Sequence, residues 1–249
     1  MGHGPVEGMI VLGTWINLGG ILLGGAVGCA RGCRWAPSTE VHLRRLTAGF
    51  LAYVGFKLVW ESCGGGLGAF FRQLAVALIA LSVGSLTGHL LRLQTLLNRL
   101  GRLASERFES ARKAGHGRIE DGLVAAAIPF CLAPTGVVGA LLDGTSGDWR
   151  VLAVKGLMDG LGAMGFAAVF GWPVLLAAVP VLFAQGAMTL LAQGGLTVFR
   201  DHALLDAFTA VSGLIVASSA VVVLGVRRVP LANYPPALAY GPLLAAWWR

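Results

Sequence analysis

The chain is poor in charge. Asp, Glu, Lys and Arg make up 12% of its 249 residues, about half the share usual in soluble domains. Hydrophobic residues make up 56% and the mean hydropathy is +0.74. So few charged side chains cannot cover the surface of a water-soluble fold this large, which excludes that class and makes lipid the solvent. Cysteine is scarce too. Cys29 and Cys33 are spaced CxxxC, but no second Cys or His pair follows at zinc spacing, so no metal framework is assigned. A Walker loop, HExxH, GxSxG and a strand-bound GxGxxG are all missing, and no two carboxylates are spaced for acid–base work. The expectation is a protein that is not an enzyme and uses no cofactor. No basic stretch precedes the first apolar run, so 9–30 reads as a first span rather than a cleaved signal.

What the chain does have is apolar runs. A span needs about 20 mostly apolar residues. Eight segments qualify, at 9–30, 44–62, 70–92, 121–142, 151–171, 173–195, 207–226 and 231–248. The fold class expected is an all-α integral membrane protein of about eight transmembrane helices. The fifth and sixth are separated by the tight reversal Gly171-Trp172-Pro173, and the last is short and holds Pro235, Pro236 and Pro242. Basic residues then set orientation. Arg31, Arg34, Arg44 and Arg45 fall in the first connection, seven more between Arg92 and Arg118 in the third, and Arg227 and Arg228 in the seventh. These share one side, taken as cytoplasmic, so both termini are expected outside, with Asp143, Asp148 and Arg150 in an external connection. The net charge of +7 therefore reports membrane orientation and gives no nucleic-acid partner; the partner is the lipid bilayer.

Residues 93–119 form the one long polar stretch and read as a helical extension of the third span, a cytoplasmic connector with the pattern LLNRLGRLASERFES. LTAGFLAYVGFKLVW at 46–60 resembles FTAVSGLIVASSAVVV at 208–223. This suggests an inverted repeat of spans one to three against six to eight, a transporter architecture with its site where the repeats meet. The chain then divides into 1–92 (first repeat), 93–119 (connector), 120–171 (central helix pair) and 172–249 (second repeat).

Charge inside a span needs a reason, since each charge costs a few kcal/mol or more. Lys155 and Asp159 sit in the fifth span at i,i+4, on one helix face where they can neutralise each other. Asp159 lies about 12 Å along its helix, near mid-membrane. One reading is a site for a monovalent cation or proton, with Lys155 competing for the carboxylate. The other is a structural ion pair. Asn17 and Gln185 are lone mid-span amides that would supply neutral ligands. The fourth span, AAAIPFCLAPTGVVGALLDG, carries Pro129, Pro134, Thr135 and Gly136. A proline removes a donor and frees a carbonyl one turn earlier, and freed carbonyls at depth must find a partner. A discontinuous fourth helix lining a site is expected, with an ordinary kink as the other reading. Gly20, Gly24 and Gly28, like Gly84 and Gly88, read as helix-contact faces, within the chain or in a homodimer.

The run FCLAPTGVVGALLDGTSGDWRVLAVKGLMD at 130–159 resembles the YqgA/YdfK-like family of bacterial inner-membrane proteins. The matching positions are Phe130 and Cys131, then Gly136, Gly139 and Ala140, then Gly144, Gly147 and Asp148, then Leu152, Lys155 and Asp159. INLGGILLGGAVG at 16–28 and VPLANYPPAL at 229–238, which includes Asn233, extend the likeness. One departure stands out: where the family pattern ends its third span Gly-Glu and then Ile-Glu, this chain has Gly88-His89 and Leu93-Gln94. The resemblance implies location in the bacterial inner membrane, a sodium channel or pump, and a link to biofilm formation.

These observations together suggest membrane transport of a cation or small solute, by a secondary transporter or ion-conducting protein. Asp159, Lys155, Thr135, Asn17, Gln185 and Asn233 would form the site, and Na+ or H+ would be the transported or coupling ion. The rival is a non-transporting scaffold or accessory subunit in which the same polar groups only hold helices together.

Overall fold

A computed structural model describes residues 11–31, 37–64, 67–114, 119–194 and 202–248. Cys33, Arg34, Arg118, Arg200 and Asp201 lie outside the described residues. The described chain is helical without a strand: α1 (Leu12–Arg31), α2 (Pro37–Ser62), α3 (Leu67–Leu90), α4 (Leu93–Ala114), α5 (Ile119–Leu132), α6 (Pro134–Ser146), α7 (Arg150–Phe170), α8 (Ala178–Gly194), α9 (His202–Val223) and α10 (Ala237–Trp247). Short 3₁₀ segments at Trp172–Ala177 and Leu231–Asn233 lead into α8 and α10.

Among the described residues, five helical segments are long and apolar enough to cross a membrane, and a bent sixth is added if α5 and α6 count as one. That is fewer than the eight expected. α2 is long enough at 26 residues, but Arg45, Lys57 and Glu61 lie within it. α10 has 11 residues, about half a bilayer at 1.5 Å per residue. The segment expected as the fourth span is a broken helix: α5 and α6 meet at Ala133 with a bend of 57°. α6 runs on through Ser146 and ends where Gly147 takes φ 70°, the left-handed conformation glycine adopts without strain. Asp143 is thus inside a helix and buried, a correction to its place in an external connection. The connector is also corrected. α4 is a separate helix, set off from α3 by a turn in which Arg92 has φ 55°.

The chain forms two compact units. The first contains α1, α4 from Leu100 onward, and α5 to α8. Its spine is α1 lying along α7, brought to backbone contact by glycines. A β-carbon at Gly20 would lie 2.1 Å from the Gly156 carbonyl oxygen, and one at Gly24 1.9 Å from that of Gly160. Gly28 meets Met164 in the same way, so the expected glycine face is an internal contact between parallel helices. Gly171, at φ 72° and ψ −150°, makes the reversal that sends α8 back antiparallel to α7. Phe108 of α4 packs edge-on against Phe166 and Phe170, and Ala111 joins the same core as Ile21, Phe130 and Val181.

The second unit contains α2, α3, the start of α4, α9 and α10. α2 crosses α9 where Gly55 and Gly213 each approach the other's carbonyl, at 2.6 Å from the position of a β-carbon. Gly84 and Gly88 let α3 touch the backbone at Ala237 and Asn233.

Candidate functional site

The site grows from the proline break in the first unit. Pro134 has no N–H, so the carbonyl four residues earlier, that of Phe130, loses its helical donor. In the structure that carbonyl accepts a hydrogen bond from Lys155 Nζ at 2.8 Å. The same ammonium is paired with the Asp159 carboxylate. Lys155 is 1% exposed and Asp159 7%, so the charges are sealed from solvent. One positive charge thus sits in a shell of main-chain and carboxylate oxygen at the point where two half-helices meet.

The amides expected at mid-depth are brought to this point. Asn17 Nδ2 donates to Gln185 Oε1 at 3.0 Å, joining α1 to α8. Gly136 completes the junction. A β-carbon there would lie 2.6 Å from Lys155 Cε and 3.2 Å from Gln185 Nε2, so only glycine lets the first turn of α6 pass so close. Thr135 is buried beside it in that turn. Gly139 makes room in the same way for Leu152. Of the expected motif residues, Phe130 meets Lys155 through its carbonyl and Gly136 lies against Lys155 and Gln185, while Gly139 packs on Leu152 and Val151.

Two expected residues are elsewhere. Asn233 lies in the second unit, where its Oδ1 accepts the Gln94 N–H at 3.0 Å and the Ala232 N–H donates to Gln94 Oε1 at 3.1 Å. It caps the start of α4 within that unit. Asp148 precedes α7 and accepts the Arg150 N–H at 3.0 Å. Sequence reasoning also passed over three groups. Thr14 and Thr189 are buried at 0% and 1% exposure, and their hydroxyls have no partner. Asp143 accepts the Gly13 N–H at 3.1 Å. The available signal was spacing, since Thr14 is three residues before Asn17 and Thr189 four after Gln185. Beyond the spans, burial pushes the Cys63 thiol up against an opposing Ser62 hydrogen bond, with the Asp206 carboxylate adding to the rise. A thiol held protonated is a poor nucleophile.

Residues 12–246 match the family model described as "Protein of unknown function (DUF554)", and the chain belongs to that family. It is 28% identical over 240 residues to "Uncharacterized protein YqgA" of Escherichia coli (strain K12), covering 96% of this chain and 98% of that one. It is 25% identical over 167 residues to "Uncharacterized membrane protein YdfK" of Bacillus subtilis (strain 168), covering 67% and 68%. No solved structure matches.

Proposed function

We propose that this DUF554 chain carries a monovalent cation, Na+ or H+, or a small solute coupled to one, across the bacterial inner membrane. The binding carboxylate is Asp159 and the competing tethered cation is Lys155. One observation carries the reading: the Lys155 ammonium is held by a carbonyl that a proline sets free and by a buried carboxylate. Such a shell of oxygens at a helix break is what a free monovalent cation needs. A cation or proton arriving at Asp159 weakens the pair and releases Lys155. Cation loss restores it. A buried pair kept only for cohesion is readily replaced by apolar packing.

The finer architecture belongs to the same proposal. All eight segments cross, with α2 and α10 completed by their neighbours, and both termini face outward. Spans one to three and six to eight form an inverted repeat. Three contacts support it, because matched helices touch: α1 with α8, α2 with α9, and α3 with α10. A homodimer is proposed as well.

Flux into proteoliposomes holding the purified protein, measured with radiolabelled Na+ and a pH-sensitive dye, tests the function. Saturable uptake is expected, lost in Asp159→Asn while thermal unfolding of that variant stays cooperative. Wild-type protein that moves neither ion under an imposed gradient overturns the proposal and leaves the scaffold reading.

A further inference from the structure

The Asn17–Gln185 contact fixes which faces of α1 and α8 look at each other, and the helices are antiparallel: Gly25 meets Leu175 while Asn17 meets Gln185. One turn toward the start of α1 and the end of α8, those faces carry Thr14 and Thr189. One turn the other way they carry Ile21 and Val181, both fully buried in one apolar core. The polar surface is therefore one-sided.

Four atoms on it have no protein partner and are buried: Thr14 Oγ1, Asn17 Oδ1, Gln185 Nε2 and Thr189 Oγ1. A buried polar group left unpaired costs about 1–3 kcal/mol. Four on facing turns of two helices are the lining that buried water takes, since water needs two to four polar partners. The outer end has a carboxylate. Asp143 Oδ2 accepts the Gly13 N–H, and its neighbour Gly144 lies against the Thr189 backbone, where a β-carbon would be 2.2 Å from the carbonyl oxygen. The inner end touches the site, because Gln185 Nε2 and Lys155 Cε lie side by side at Gly136.

We propose that Thr14, Thr189, Asn17 and Gln185 line a hydrated polar file that runs from Asp143 to the Lys155–Asp159 pair, by which a monovalent cation or proton reaches Asp159 from one side of the membrane. The proposal rests on the transport reading for its cargo, and on the unpaired atoms for its existence. Three oxygens and a carboxylate suit a hard cation that keeps part of its hydration. Ile21 and Val181 end the polar lining beyond the amides, so the file leads from the site toward the start of α1.

The test measures access rather than flux. In the full-length protein with Cys29, Cys33, Cys63 and Cys131 changed to alanine, Thr14→Cys and Thr189→Cys are exposed to 2-aminoethyl methanethiosulfonate, a small monovalent cation. Ile21→Cys and Val181→Cys, equally buried, are the controls. The file predicts modification at 14 and 189 at least tenfold faster than at 21 and 181, in vesicles of one orientation and not the other, and slowed by Na+ or by acid. Equal rates at all four positions overturn it. Thr189→Cys alone decides the matter if the α1 variant does not fold. Fast labelling in a protein without flux removes the transport reading and leaves the file; flux without fast labelling does the reverse.

Discussion

In the first unit α1 lies on α7 with glycine against backbone at Gly24 and Gly160; in the second α2 lies on α9 the same way at Gly55 and Gly213. The packing device is shared, but the buried chemistry is not. Among the described residues every buried charge, Lys155, Asp159 and Asp143, belongs to the first unit. The second unit's buried hydroxyls are mostly satisfied within their own helices: Thr47 donates to Leu43, Ser62 to Val59, Ser219 to Ile215. The second unit thus serves as a control made of the same materials. The helices of the second unit pack closely with one ion pair among the described residues, Lys57–Glu61, that is partly exposed, so cohesion alone does not account for the buried charges in the first.

The comparison breaks most sharply at Lys155. Lys155→Ala leaves a carboxylate and the Phe130 carbonyl without their cation, and removing one partner of a buried pair costs roughly 3–5 kcal/mol. The double change Lys155→Met with Asp159→Leu removes both charges and should recover most of that stability in detergent unfolding while flux stays absent. Recovery of flux together with stability would make the pair structural after all.

Next in size are the glycine crossings, where the two units should behave alike. Gly24→Ala and Gly55→Ala each drive a β-carbon into facing backbone, and overpacking of this kind costs about 1–3 kcal/mol. Matching drops in unfolding temperature are expected. A loss confined to one unit would show that its partner helix can retreat and the other's cannot. Smaller again is Asn233→Ala. It removes the cap on the Gln94 N–H, worth about 1 kcal/mol, and should leave Na+ flux unchanged, because its side-chain oxygen is engaged in capping α4. A lost flux with intact folding would return Asn233 to the site.

How much of this was legible beforehand follows from which interactions are local. Lys155 and Asp159 were readable because one helix carries both at i,i+4, and the break at Pro134 because proline acts on its own chain. The identity of the freed carbonyl's partner was not, since Phe130 and Lys155 are 25 residues apart. Asn17 and Gln185 stood out as amides in apolar runs, and their contact spans 168 positions. Thr14 and Thr189 look like ordinary helical threonines until facing helices deny them partners. Asn233 misled for the same reason: its role is set by Gln94, 139 residues away. The span count fell short at α2 because Arg45, Lys57 and Glu61 lie inside its apolar run, and at α10 because the run at 231–248 pools a 3₁₀ segment and a turn with an 11-residue helix.

The smallest effect asks whether both units are complete as they stand. Gly49 of α2 and Gly165 of α7 are exposed, and a β-carbon at either would meet nothing within 4 Å. In a helix interior alanine is favoured over glycine by about 0.8–1.0 kcal/mol, so Gly49→Ala and Gly165→Ala should each raise the unfolding temperature slightly. The gain rests on lipid being the neighbour. If a second copy of the chain packs on one of these faces, the added methyl group meets a helix instead, and that variant loses stability and shifts toward monomer in size-exclusion light scattering. Equal gains in both argue that neither glycine lies in a tight subunit contact. A gain at one and a loss at the other would identify which unit carries the dimer face.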